Sequence, residues 1–215
     1  MGMIAKIFSM YLLFCLLVYA SSGFELIFGT WWIMIGYIVA VAIFSAKNIF
    51  LFRNREDDEI CLNAGGGLLP MVMATYMIYL FATELGFGNG FFIIFLIVLP
   101  ASIAAYLTSR YIPGNGVVTL AIGVPAVLFI LVNIFTPMFG DLVNEPFTAK
   151  LLLGFVGSTY ASFVGCDIFH LKEIGYDNRF GDKPSIGGAG ICDGVFVSGI
   201  LTMVLLMMQE HLVVF

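Results

Sequence analysis

The chain has 215 residues, of which 61% are hydrophobic and 11% charged, and a formal net charge of −5. A soluble domain is about 45–50% apolar and about 25% charged, so this composition argues against a water-soluble fold. The acidic balance, with no basic patch, argues against a nucleic-acid partner. The mean hydropathy is +1.05. Apolar runs of the length that crosses a bilayer, about 17–25 residues, recur along the whole chain. They predict an all-α fold, a polytopic transmembrane bundle of about seven helices forming a single membrane domain over residues 1-215.

The first run spans about 4-20, with Lys6 near its start. It reads as a retained helix; the alternative is a secretory signal cleaved after Ala20. The second run, 28-46, carries Trp31 and Trp32, which suit the membrane interface. Beyond Lys47 lies the most charged stretch, Arg53 to Glu59, expected as a cytoplasmic loop. The third run, 65-82, opens on Asn63-Ala64-Gly65-Gly66-Gly67-Leu68-Leu69-Pro70. Three glycines and a proline are poor helix formers and predict an unwound start lining a cavity; an ordinary kinked start is the alternative. The fourth run is 91-107, with Pro100 inside. Pro113-Gly114-Asn115-Gly116 signals a turn. The remaining runs are 117-137, 150-171 and 185-208.

Alternating the loops from a cytoplasmic N-terminus places Lys6, Lys47, Arg53, Arg55, Arg110, Lys172, Arg179 and Lys183 inside. Only Lys150 falls outside, which satisfies the positive-inside rule. The expectation is an integral protein of a prokaryotic plasma membrane, with its N-terminus cytoplasmic and its C-terminus outside.

The candidate chemistry sits in the last two runs. Asp167 lies about one turn, or roughly 6 Å, from the inner end of the sixth; Asp193 lies roughly 12 Å into the seventh. Consecutive helices joined by a short loop are usually neighbours, so the two carboxylates are expected to face each other. Close carboxylates do not both ionise easily. A shared proton suits aspartyl proteolysis, in which one acid activates water and the other polarises the scissile carbonyl. Gly187, Gly188 and Gly190, with Gly194 beside the acid, leave room for an extended substrate backbone. Gly65, Gly66 and Pro70 belong to the same expected backbone-binding set. The catalytic pair would be Asp167 and Asp193, acting on a membrane-embedded peptide.

Other uses of the same residues stand beside this one. Asp167 can be solvated or pair with Lys172, and Asp193 can cap a helix that begins after the glycines. Cys166, His170 and Cys192 are metal-ligand types, but their spacing has no specific zinc pattern. A proton- or cation-coupled transporter would use two broken helices, at 65-70 and 187-190. A structural or assembly subunit would need partner subunits. No dinucleotide, phosphate-loop or serine-hydrolase motif occurs, and no cofactor is expected. The four cysteines, none in a CxxC pair, indicate no disulfide framework. Membrane lipid is the one partner the composition requires.

Several segments resemble a known family. They are Asn48-Ile49, Asn63-Ala64-Gly65-Gly66 with Pro70, Pro113-Gly114-x-Gly116 with Gly123-Val124-Pro125, and Gly165-Cys166-Asp167 with Leu171. The most specific is Ile186-Gly187-Gly188-Ala189-Gly190-x-x-Asp193-Gly194-Val195-Phe196 with Gly199-Ile200. Over residues 45-201 the chain resembles the DUF1614 family of bacterial and archaeal membrane proteins, a resemblance that implies a multi-pass membrane fold and no particular activity. More distantly, Gly190-Ile191-Cys192-Asp193 is similar to the Gly-x-Gly-Asp motif of presenilin and the prepilin peptidases, with cysteine in place of the second glycine. That likeness implies an intramembrane aspartyl protease.

Overall fold

The structure, a computed structural model, describes residues 3–53, 59–112, 116–174 and 185–213. Among them, six helical segments are long and apolar enough to cross a membrane: Tyr11–Phe28, Ala64–Leu85, Phe87–Thr108, Gly123–Leu142, Pro146–Glu173 and Gly194–Leu212. A seventh apolar helix, Trp32–Phe44, has 13 residues. The helices are α1 (Met3–Phe28), α2 (Trp32–Phe44), α3 (Leu69–Leu85), α4 (Phe87–Thr108), α5 (Gly123–Phe139), α6 (Pro146–Ser162), the short α7 (Leu171–Ile174) and α8 (Gly194–Val213). The expected all-α bundle is what forms.

The core is built around α6, which touches α1, α3, α4, α5 and α8. Between helices in lipid there is no hydrophobic driving force, so close packing of small residues and hydrogen bonds must hold them together. The sequence of α6 meets that need. A Cβ on Gly154 would stand 2.6 Å from Leu206 Cδ1, and one on Gly157 2.5 Å from Leu128 Cδ1. Glycine therefore lets α8 and α5 approach closely. Ser158, Thr159 and Ser162, all buried on α6, face Ser198 and Thr202 on α8. Ser162 Oγ donates to Ser198 Oγ at 2.8 Å, and Ser198 Oγ donates to the Ser158 carbonyl at 3.1 Å. The Ser158 and Thr202 hydroxyls also bond to each other.

Two helical segments are wound as π-turns, one extra residue wide. Ala64–Leu68 runs straight into α3, and Phe163–Ile168 continues α6. The unwound start expected at Gly65 to Pro70 is thus a wider helical turn. Asn63 organises it: its Oδ1 accepts the N–H groups of Gly65 and Gly66 at 3.0 and 2.9 Å, and its Nδ2 donates to the Ser45 carbonyl at 2.7 Å. Pro70 follows directly on this wider turn, at the start of α3.

The connecting segments contain strands that the apolar runs do not foretell. β1 (Asn48–Arg53) pairs antiparallel with β2 (Glu59–Asn63), and β2 pairs parallel with β5 (Ser185–Ile186). β3 (Arg110–Ile112) and β4 (Gly116–Val118) form a hairpin. Residues 117-118 and 185-186 are therefore strand, not helix. α5 begins at Gly123 and α8 at Gly194. The backbone explains the late start of α8: Gly187 and Gly190 have φ of 73° and 61°, a left-handed conformation no right-handed helix contains. The Arg53 guanidinium bonds Glu59 at 3.0 Å; the charged stretch between them, 54–58, lies outside the described residues.

Candidate functional site

The two aspartates reach one place by different means. Asp167 lies in the π-turn that ends α6. Two residues earlier, Gly165 presses its backbone on α4: an added Cβ would stand 2.6 Å from the Ala105 Cβ and would also meet the Ser102 carbonyl oxygen. Two residues on, a helical chain has turned by roughly 180°, so Asp167 faces away from α4, into a cavity of about 410 Å³. Among the described residues its carboxyl has no hydrogen-bond partner. The alternative pairing with Lys172 is not formed there; nearby, His170 Nδ1 and Glu173 are hydrogen-bonded at 2.8 Å.

Asp193 is not eight residues into a helix. It is the residue before α8, and it caps that helix. Its Oδ1 accepts the Val195 N–H at 3.0 Å, and its Oδ2 accepts the Ala189 N–H at 3.3 Å. Its own carbonyl accepts the Val197 N–H at 2.8 Å. Its carboxyl lines the same cavity as Asp167. Its side chain is partly buried. Burial therefore raises its pKa above the ordinary carboxylate value, while the Val195 and Ala189 N–H groups pull it back down.

The rest of the cavity wall is largely backbone and small polar side chains. β4 and the residues after it supply one side, Gly187, Gly188, Ala189 and Gly194 another, and Ser162 and Ser198 the floor. The Thr119 hydroxyl in this wall is buried without a partner among the described residues. Three of the expected backbone-binding glycines, Gly187, Gly188 and Gly194, are thus at the cavity.

The other expected members are elsewhere. Gly190 borders a shallower hollow with Ser45 and Cys192. Gly65, Gly66 and Pro70 do not line the main cavity. A Cβ on Gly66 would meet the Gly187 carbonyl oxygen and stand 2.8 Å from Gly190 Cα; one on Gly65 would stand 2.5 Å from the Ser45 N. These glycines clamp the Gly187–Gly190 loop against α2 and the start of α3, and so hold Asp193 in place from behind.

Cys166 and Cys192 line the cavity, but His170 does not. Its Nε2 bonds Ser109 Oγ at 2.9 Å and its Nδ1 bonds Glu173 at 2.8 Å. No group of three or more potential metal ligands is assembled among the described residues. The sequence reading missed Ser162, Ser198 and β4. The four-residue steps Ser158–Ser162 and Ser198–Thr202 were a readable signal, since they put hydroxyls on one face of each helix.

A family model described as a protein of unknown function, DUF1614, matches residues 37–205. No curated protein and no solved structure matches the chain. The matched stretch runs from within α2 to within α8 and contains both aspartates, both π-turns and the clamping glycines. By that match, the chain belongs to the DUF1614 family.

Proposed function

We propose that the protein is an intramembrane di-aspartyl peptidase that cuts a membrane-embedded peptide, with Asp167 and Asp193 as its acid and base. The observation that carries this is the placing of both carboxylates on the wall of one cavity, beside the backbone of β4 and of the Gly187–Ala189 turn. A peptide bond needs an extended backbone to be attacked, and glycine-lined walls leave space for one. Asp193 accepts two N–H groups, which favours its ionised form, so it is the base. Asp167, with no such donors, carries the proton. Asp193 takes a proton from water, and the water oxygen bonds to the scissile carbonyl carbon. Asp167 gives its proton to the carbonyl oxygen. On collapse, one hydroxyl of the gem-diol returns its proton to Asp167 as the carbonyl re-forms, the C–N bond breaks, and the amine nitrogen takes the proton held by Asp193.

Proton- or cation-coupled transport is the second reading. It is favoured by the hydroxyls of Ser162, Ser198, Ser158 and Thr202, which continue from the cavity into the bundle. It loses one of its two expected broken helices, because Ala64–Leu68 is wound.

The test is labelling of the purified protein in vesicles by a photoreactive peptide bearing a hydroxyethylene isostere, which mimics the tetrahedral intermediate. Labelling that D167N abolishes, together with cleavage of the parent peptide that D167N and D193N both lack, is the expected result. Labelling unaffected by D167N sinks the peptidase reading. The acids would then be a proton site or local structural devices.

A further inference from the structure

The β1–β2 hairpin presents a surface that the cavity does not use. All six residues of β1 are exposed, and Ile49, Phe50, Leu51 and Phe52 are exposed by 42–54%. Ile49 and Phe50, paired in regular register before the bulge at Leu51, point to opposite faces, so both faces of β1 carry exposed apolar side chains. Four such residues in a row on an edge strand would be an aggregation hazard in water. Something covers them.

The geometry points to the bilayer itself: we propose that β1 lies flat in the boundary between phospholipid headgroups and acyl chains. Helix α2 has 13 residues, about 20 Å of rise, against a hydrocarbon core of about 30 Å. Its far end carries the stacked Trp31 and Trp32, whose ring centroids are 3.9 Å apart, an interface anchor. Its near end therefore stops short of the opposite boundary. Only Ser45, Ala46 and Lys47 separate α2 from β1, and exposed Ile43 and Phe44 lead on to exposed Ile49 and Phe50. The lipid-facing side of α2 thus continues onto the strand.

Charge and backbone set the depth. Lys47 is exposed, with its Nζ 5.3 Å from the Phe44 ring centroid, and Arg53, paired with Glu59, closes the other end. The exposed Lys47 cation suits phosphodiester oxygens. β1 is the outer strand of its sheet, so its outward N–H and C=O groups need partners that hydrocarbon cannot supply. The headgroup boundary supplies water and phosphate on one side and acyl chain on the other. The sheet also reaches the cavity, because β5 pairs with β2 and Ser185 lines the cavity wall.

The test is F50W and F52W in the full chain, reconstituted into vesicles of equal parts phosphatidylcholine and phosphatidylglycerol. The phosphatidylcholine is brominated either near its carbonyls or deep in its acyl chains, and the parent protein with Trp31 and Trp32 is the baseline. Circular dichroism confirms that each variant keeps the parent's helicity. The added fluorescence should fall about twofold or more with the shallow label and less with the deep one. Equal fluorescence in brominated and plain vesicles overturns the proposal, since β1 then faces water or protein. Stronger quenching by the deep label overturns the assigned depth. Oxidative coupling of two F50C chains beyond the parent's level makes a second copy the occupant, which also overturns it.

Discussion

The Ser162 hydroxyl donates to the Ser198 hydroxyl at 2.8 Å across the α6–α8 contact, at the floor of the cavity that holds Asp167 and Asp193. Ser162 is five residues before one acid and Ser198 is five after the other. This bond ties together the two helices that carry them at the level where the acids must be aligned. Its size matters as much as its polarity, because neighbouring Gly154 and Gly199 have no room for a Cβ.

S198A loses two bonds, the one from Ser162 and the one to the Ser158 carbonyl, and should cost about 1.2 kcal/mol at the usual worth of about 0.6 kcal/mol per such bond in a membrane. S198L keeps no bond and adds bulk where α6 and α8 touch. It should separate the two acids and abolish peptide cleavage while leaving the protein in the membrane. Thermal unfolding in detergent and cleavage by the two variants, measured side by side, check this.

Asp193 has two duties that substitution can separate. Asparagine caps a helix about as well as aspartate, while alanine costs about 0.5–2 kcal/mol. D193N should thus unfold near the parent's temperature yet fail to cleave, and D193A should lose both. If D193N retains cleavage, capping is the residue's whole task.

The raised pKa of Asp193 has a consequence for pH. A carboxyl that binds its proton more tightly when folded stabilises the fold below its ordinary, unfolded pKa. That contribution is lost as pH rises through the raised folded value. D193N should remove this part of the pH dependence of unfolding, which melting curves from acid to neutral pH will show.

Gly187 carries a different load. With φ of 73°, and with Gly67 Cα 2.6 Å from where its Cβ would be, it admits no side chain. G187A should destabilise by at least about 1–2 kcal/mol from backbone conformation alone. It should also displace the loop that donates the Ala189 N–H to Asp193. G188A, whose Cβ would stand 2.9 Å from the Ser185 carbonyl oxygen and whose φ is not positive, should be milder in both respects.

Asp167, by contrast, has no hydrogen-bond partner among the described residues. D167N removes a potential charge from a half-buried site and breaks no bond seen there. Its unfolding temperature should equal or exceed the parent's, even as labelling and cleavage are lost. A large drop would mean that the carboxylate holds the fold together.

The membrane-helix architecture was legible from composition and run length alone. A bilayer demands about 20 apolar residues per crossing, and runs of that length are visible without knowing what they touch. The sequence also brought the acids to one cavity, since the last two membrane-length helices pack side by side: α6 and α8 do, joined by Ser162 and Ser198. What tertiary structure decided were matters of a few residues. Asp193 looked like a mid-helix acid because nothing local distinguishes a glycine inside a helix from one held at positive φ. Gly187 and Gly190 take that conformation because Gly66, Gly67 and Ser45 press on them from elsewhere in the chain. The π-turn at Asp167 adds one residue to a turn, too little to disturb an apolar run, yet it aims the carboxyl. Strands β1 to β5 are short and apolar like the helix ends beside them, and only pairing across distant segments reveals them. Length and hydropathy are properties of a segment alone; side-chain direction and backbone handedness here are set by what packs against the segment.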